Sequence, residues 1–233
     1  MFKGFAVTAL ALMLAGCAAY KGRQTGPSIP GSSPWPTELR TPGKIYRIDE
    51  AQSELRILVY RAGPLARFGH NHVVVNRSLQ GAAKAAGGRS GFWLNVPVKS
   101  FVVDDAQARR EEGSDFAAEV PEDAKSGTLE HMLSAAVLDA DRFAEISVTG
   151  VAGAPGPGPM RVTVTIRVAG HESTVEAPFT LDIDSHGLSA AGSLELHQSA
   201  LGLTPYSLML GALQVQDALT VKFKIVAVDS GGS

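Results

Sequence analysis

The sequence predicts an all-β domain with one amphipathic helix, laid out as a long antiparallel meander of about eight to ten strands. Three observations carry this. From Lys44 onward the dominant hydrophobic period is two. The alternating runs are joined by short turns such as Ala169-Gly170-His171 and Ser185-His186-Gly187. Charged residues are only 19% of the chain while Gly and Pro number 25 and 13, a balance that favours strands and turns over long solvated helices.

The chain opens on a targeting segment. Lys3 is followed by an apolar stretch from Phe5 to Leu14 broken only by Thr8. It is too short to cross ~30 Å of hydrocarbon as a helix, so residues 1–16 read as a signal peptide. Leu14-Ala15-Gly16-Cys17 then leads small residues into the only thiol of the chain. This resembles the lipobox of bacterial lipoproteins. It implies cleavage before Cys17, acylation of that residue as a membrane anchor, and residence in the periplasm of the cell envelope. Ala18 behind the cysteine implies sorting to the outer membrane. Residues 17–42 read as the lipidated cysteine and a Pro/Gly/Ser tether with little apolar periodicity; Trp35 either packs on the domain or sits at the membrane interface.

The strands follow. Leu55, Ile57 and Val59 alternate with polar neighbours, as do Phe92, Leu94, Val96 and Val98; Ile146 and Val148 form a shorter run. The stretch Asp104–Asp115 reads as a solvated loop whose carboxylates solubilise. One helix is expected where Leu129, Met132, Leu133, Ala136 and Val137 share a face, capped by Ser126 or Thr128. Met160 to Val168 is the clearest strand, with Val and Ile on one face and Arg and Thr on the other. Further runs cover Val175 to Ile183, Leu188 to Leu196 and Leu213 to Ile225. Two packed sheets or one closed sheet would both bury this dry face; Gly150 and Gly192 mark where a curling sheet would bend.

Several function classes are disfavoured. A formal charge of −2 offers no basic face for a nucleic acid. One cysteine makes neither an intramolecular disulfide nor a Cys-rich zinc site. Gly187 to Gly192 is one residue too long for a nucleophile elbow, no glycine-rich phosphate loop precedes a helix, and no enzyme is indicated. His70 and His72, two apart, point the same way on an extended backbone. They suit a hydrogen-bonded pair, a contact to a ligand head group, or a metal site completed by His131 or His197.

The order of landmarks resembles the YceI-like family of periplasmic polyisoprenoid-binding proteins. Tyr46-Arg47-Ile48-Asp49 with Ser53–Val59 is similar to its opening strand pair, and Arg67-Phe68-Gly69-His70-Asn71-His72 to its next segment. His131-Met132-Leu133, Leu138 and Arg142-Phe143-Ala144-Glu145-Ile146 resemble its helix-to-strand signature, with Ala144 where the family usually has Pro. Val162–Val168, Val175-Glu176-Ala177-Pro178-Phe179, Leu201-Gly202-Leu203-Thr204-Pro205 and Val215-Gln216-Asp217 with Leu219–Ile225 complete the series. The resemblance implies a lipocalin-like β-barrel of about eight strands over residues 43–228, with 229–233 as a tail. It implies a carrier or sequestering protein that holds one long isoprenoid lipid, or a quinone-like molecule, inside the barrel. The expected tail contacts are Phe92, Leu94, Val96, Met132, Val164, Ile166, Phe179, Leu181, Leu194 and Phe223; the expected head-group contacts are His70, Asn71 and His72. Two other readings stand beside it: a metal-binding protein using His70 and His72, and a filled-core barrel whose outer face serves an envelope partner.

Overall fold

The structure is a computed structural model that describes residues 33–230. The signal peptide, Cys17 and the first part of the tether lie outside the described residues. In chain order the strands are β1 (Lys44–Ile48), β2 (Glu54–Val59), β3 (Arg61–Ala62), β4 (His72–Asn76), β5 (Gln80–Ala86), β6 (Arg89–Pro97) and β7 (Val102–Val103). After the helices α1 (Ala106–Glu111) and α2 (Glu122–Leu133) come β8 (Glu145–Ala152), β9 (Gly158–Val168), β10 (His171–Ile183), β11 (Gly187–His197), β12 (Ser207–Leu208), β13 (Leu213–Val215) and β14 (Ala218–Asp229).

Eight strands close a ring in the order β1-β5-β6-β8-β9-β10-β11-β14 and back to β1, every pair antiparallel. The sheet is therefore a barrel, not a sandwich. Closure removes the exposed edges that an open meander would carry. The ring is not uniform along its length. β14 pairs with β1 through residues 227–229 and with β2 through residues 220–224, so β1 and β2 form one broken line along it. At the β2 end, β4 and then β7 extend the sheet away from the ring.

The period-two pattern places the dry face inward. Val162, Val164, Ile166 and Val168 of β9 are buried, while Thr163 and Arg167 on the outer face bond Glu176 and Glu172 of β10. Ala169 and Gly170, both at positive φ, make the tight turn between those strands. Gly150 and Gly192 lie opposite Phe92 and Phe223 on neighbouring strands. A Cβ on Gly150 would fall 2.3 Å from the Phe92 ring, and one on Gly192 would fall 2.6 Å from the Phe223 ring. Each glycine is thus a seat for a phenyl ring across the strand pair.

Four expectations are corrected. α2 starts at Glu122 behind Pro121, and the hydroxyls of Ser126 and Thr128 donate backward to the Glu122 and Ala124 carbonyls from inside the helix. It ends at Leu133, so Ala136 and Val137 lie in the loop beyond it, although Leu129, Met132, Leu133 and Val137 pack on the core. The Leu213–Ile225 run is two strands split at Gln216-Asp217; β13 leaves the barrel and joins β12 and β3 in a small separate sheet. The stretch Asp104–Asp115 is not a solvated loop. It carries α1, capped by the Asp105 side chain, and packs Ala108 and Phe116 against Leu58, Val73 and Val75 in a second core outside the barrel. Its Glu112 carboxylate accepts from Arg56 and Lys222, each more than fifty residues away. Finally, residues 33–42, the end of the stretch read as a tether, lie on the barrel: Leu39 is fully buried, and Lys84 Nζ sits 5.2 Å from the centre of the Trp35 ring.

Candidate functional site

The inward side chains do not meet in the middle. They line a cavity of about 810 Å³ that runs through the barrel, from Ser90, Ala152 and Ile183 at one end to His70, His131 and Tyr206 at the other. Its walls are almost wholly Val, Leu, Ile, Phe and Ala, contributed by strands all round the ring and by α2. The ten residues expected to contact a tail, Phe92, Leu94, Val96, Met132, Val164, Ile166, Phe179, Leu181, Leu194 and Phe223, all lie on this wall. A lining so apolar offers a bound molecule dispersion contacts and the removal of its own surface from water, with few directional bonds.

Polar side chains gather at the end where β2, β4 and α2 meet, while Tyr46, Lys84 and Ser90 are the polar lining of the other end. Arg61, His70, His72, Thr128, His131, Gln198, Tyr206 and Gln214 reach the cavity there. His72 opens β4 and is nine-tenths buried; its Nδ1 stands 2.6 Å from Asp104 Oδ2, and its Nε2 stands 3.4 Å from Thr128 Oγ1. The His70 and His72 rings are 6.1 Å apart, edge to face. His131 stacks edge-on against Tyr206 with 4.7 Å between ring centres. Asn71 turns away: its amide accepts from the Arg61 N–H and donates to the Asp115 carbonyl, tying two loops rather than lining the cavity.

Asp104 holds this end together. It adopts φ +58°, a left-handed conformation that Asp tolerates better than most residues, and it is buried. Burial alone would raise its pKa. The hydrogen bonds from His72, from the Val73 N–H and from Arg109 outweigh that and hold the carboxyl below the usual range. Arg109 in turn donates to the carbonyls of Asn71 and Ala118. An ionised Asp104 can only accept, so His72 Nδ1 carries the proton of that bond, and the ring is locked with Nε2 toward Thr128 and the cavity. The Thr128 hydroxyl already donates to the Ala124 carbonyl from the helix interior, so the group presents fixed polar contacts and not an activated nucleophile.

The metal reading fares differently. His131 stands at the same end of the cavity as His70 and His72, but His197 lies outside with Glu195 and Asp217. No group of three or more His, Cys, Asp or Glu side chains among the described residues could hold an ion. Sequence reasoning missed Asp104, Thr128 and Tyr206. Thr128 was hidden by its reading as a cap, and Asp104 by its setting in a run of charge.

Comparison with known proteins agrees with this architecture. The model of the YceI-like domain family matches residues 46–227, so the chain belongs to that family. The solved structure of BcnA from Burkholderia cenocepacia superposes with a TM-score of 0.55 at 17% identity, covering 78% of this chain and 99% of that one. A protein from Saccharophagus degradans, described as a polyisoprenoid binding domain implicated in plant cell wall breakdown, gives a TM-score of 0.55 at 11% identity. It covers 79% of this chain and 98% of that one. At these identities the likeness is one of fold. No curated protein matches the chain.

Proposed function

We propose that this YceI-like protein holds a long isoprenoid-type amphiphile, tail inside the barrel and head group at the His70/His72 end, as an anchored carrier or sequestering protein of the bacterial periplasm. The observation that carries this is the apolar cavity of about 810 Å³. The description of the Saccharophagus degradans domain as polyisoprenoid binding supports the same ligand class. His72 Nε2, aimed by Asp104, and the neighbouring Tyr206 and Gln214 supply the polar contacts that would fix a hydroxyl, carbonyl or phosphate head. Membrane attachment through Cys17 rests on the lipobox alone.

The test is organic extraction of the purified full chain followed by mass spectrometry. The expected result is one isoprenoid-type amphiphile per protein. Protein that comes from a lipid-rich host with its cavity intact yet yields no lipid overturns the proposal.

A further inference from the structure

The polar end of the barrel carries a feature that the ligand reading does not use. β12 and β13 form a hairpin whose tip exposes large apolar side chains: Leu210 is 108% exposed, Met209 68% and Leu208 44%. Phe68, 64% exposed, lies on the loop against which the hairpin is seated. Soluble surfaces seldom gather four such side chains in one place without a partner for them.

The tip is built, not frayed. Met209, Leu210 and Gly211 are all left-handed, at φ +50°, +55° and +89°. Gly or Asn would make such a turn with less strain, yet Met and Leu occupy it and hold their side chains outward. The hairpin is fixed to the rim of the cavity by several bonds. The Leu65 N–H donates to the Ala212 carbonyl at 2.8 Å, β13 pairs with β3, and Tyr206 stacks on His131 of α2. Leu213, just past the tip, faces into the cavity.

Charge points the same way. In a chain with 23 acidic residues, the two segments that make this rim, 60–72 and 199–216, contain no Asp or Glu. They do contain two exposed arginines: Arg67, over the Phe68 ring at 4.6 Å, and Arg61, bonded to the Gly69 carbonyl. Apolar side chains at a tip, with arginines behind them and the Asp217 carboxylate tied to Ser199 at the far end of the segment, match the interface of a bilayer containing anionic lipid. There, apolar groups sit roughly 5–10 Å deep and cations meet head groups.

We propose that the Leu208–Gly211 tip and Phe68 dock the polar-rimmed end of the barrel onto an anionic bilayer, the surface from which an amphiphile is taken up or to which it is delivered. The docking surface stands on its own geometry; its purpose rests on the lipid-binding proposal above.

The test uses the full chain with Cys17→Ser, so that the thiol of Leu210→Cys alone carries an environment-sensitive fluorophore. Ser185→Cys, in the β10–β11 turn at the opposite end of the barrel, is the matched control. Vesicles of phosphatidylethanolamine and phosphatidylglycerol should give a blue shift, a severalfold rise in emission and quenching by a bilayer-borne quencher at position 210 but not at 185. Phosphatidylcholine vesicles should give less. No change at 210, or an equal change at 185, overturns the proposal. So does a shift at 210 that grows with protein concentration in the absence of vesicles, which marks association between copies. Lipid recovered from the wild type with a silent label at 210 refutes docking alone, whereas a responsive label on protein that never yields lipid refutes the carrier reading alone.

Discussion

Replacing Ala190 by Phe separates a hollow barrel from a packed one. Ala190 lies on β11, opposite Leu181 of β10 and Ile225 of β14, and all three line the cavity. The substitution adds a six-carbon ring, one carbon more than an isoprene unit, to the wall of the cavity. In a close-packed core, extra carbons force neighbours off their rotamers and cost about 1–3 kcal/mol. For a domain of this size that is a fall in Tm of roughly 2–12 °C. In a hollow barrel the ring enters free space and buries apolar surface, so Tm should hold or rise. The room lost is close to that of one isoprene unit, so extracted lipid should shorten by about one unit. The assays are thermal unfolding of the full chain and mass spectrometry of extracted lipid. A Tm fall in that range with unchanged lipid would show that the bore is filled in solution, and the reasoning would fail.

Three further outcomes are expected. Asp104→Asn leaves Arg109 buried without its counter-charge and should cost about 3–5 kcal/mol, a Tm loss of roughly 6–20 °C, read by thermal or denaturant unfolding. Because the folded-state pKa of Asp104 is depressed, its stabilisation is complete above the ordinary value of 3.8 and disappears as pH falls through the lower folded value, so the variant should show a flatter acid limb than the wild type. Gly150→Ala should lose about 1–3 kcal/mol because its methyl meets the Phe92 ring, and Gly150→Ala/Phe92→Leu should recover part of it; equal stability of wild type and single variant in urea would refute the seat. Cys17→Ser should abolish incorporation of labelled palmitate in a bacterial host, and persistent labelling would refute the lipobox.

The barrel was legible wherever one face of a strand is uniformly apolar, because alternation reports directly which side of the sheet is dry. β9 and β10 show it cleanly. β5 was not visible on those grounds: Gln80-Gly-Ala-Ala-Lys-Ala-Ala has little strand preference, and its pairing with β1 and β6 imposes its conformation. The strand residues expected to contact a tail could be placed on the cavity wall from the same alternation, since facing inward and lining the cavity are one property. The polar end could be read only in half. His70 and His72 stand out in the sequence, but their orienting group does not. Asp104 looks like one of several surface acids until the fold brings His72 and Arg109 to it, and Glu112 looks idle until Arg56 and Lys222 arrive from distant strands. Which charges are structural is decided by contacts between residues far apart in sequence.

That misread segment bears on how a barrel built round a cavity stays closed. Wall atoms facing a void forfeit the dispersion contacts that a packed core would supply, so the shell must be held from elsewhere. Along most of the ring the antiparallel ladders do this without interruption. The weak place is the end where β4 and β7 leave the ring and the sheet opens toward α2. The second core of Leu58, Val73, Val75, Ala108 and Phe116, the Asp104–His72–Arg109 group, and the Arg56–Glu112–Lys222 bridge all sit on β2, β4, β14 and the segment that carries α1. The seam is therefore clamped largely from outside: the second core and the Arg56–Glu112–Lys222 bridge lie apart from the cavity lining, and of the Asp104 group only His72 reaches it. A shell supported this way can release its ligand without collapsing. It follows that bound lipid should add only the mass-action term, about 2.7 kcal/mol at a hundredfold excess over Kd, on top of a barrel that is already folded.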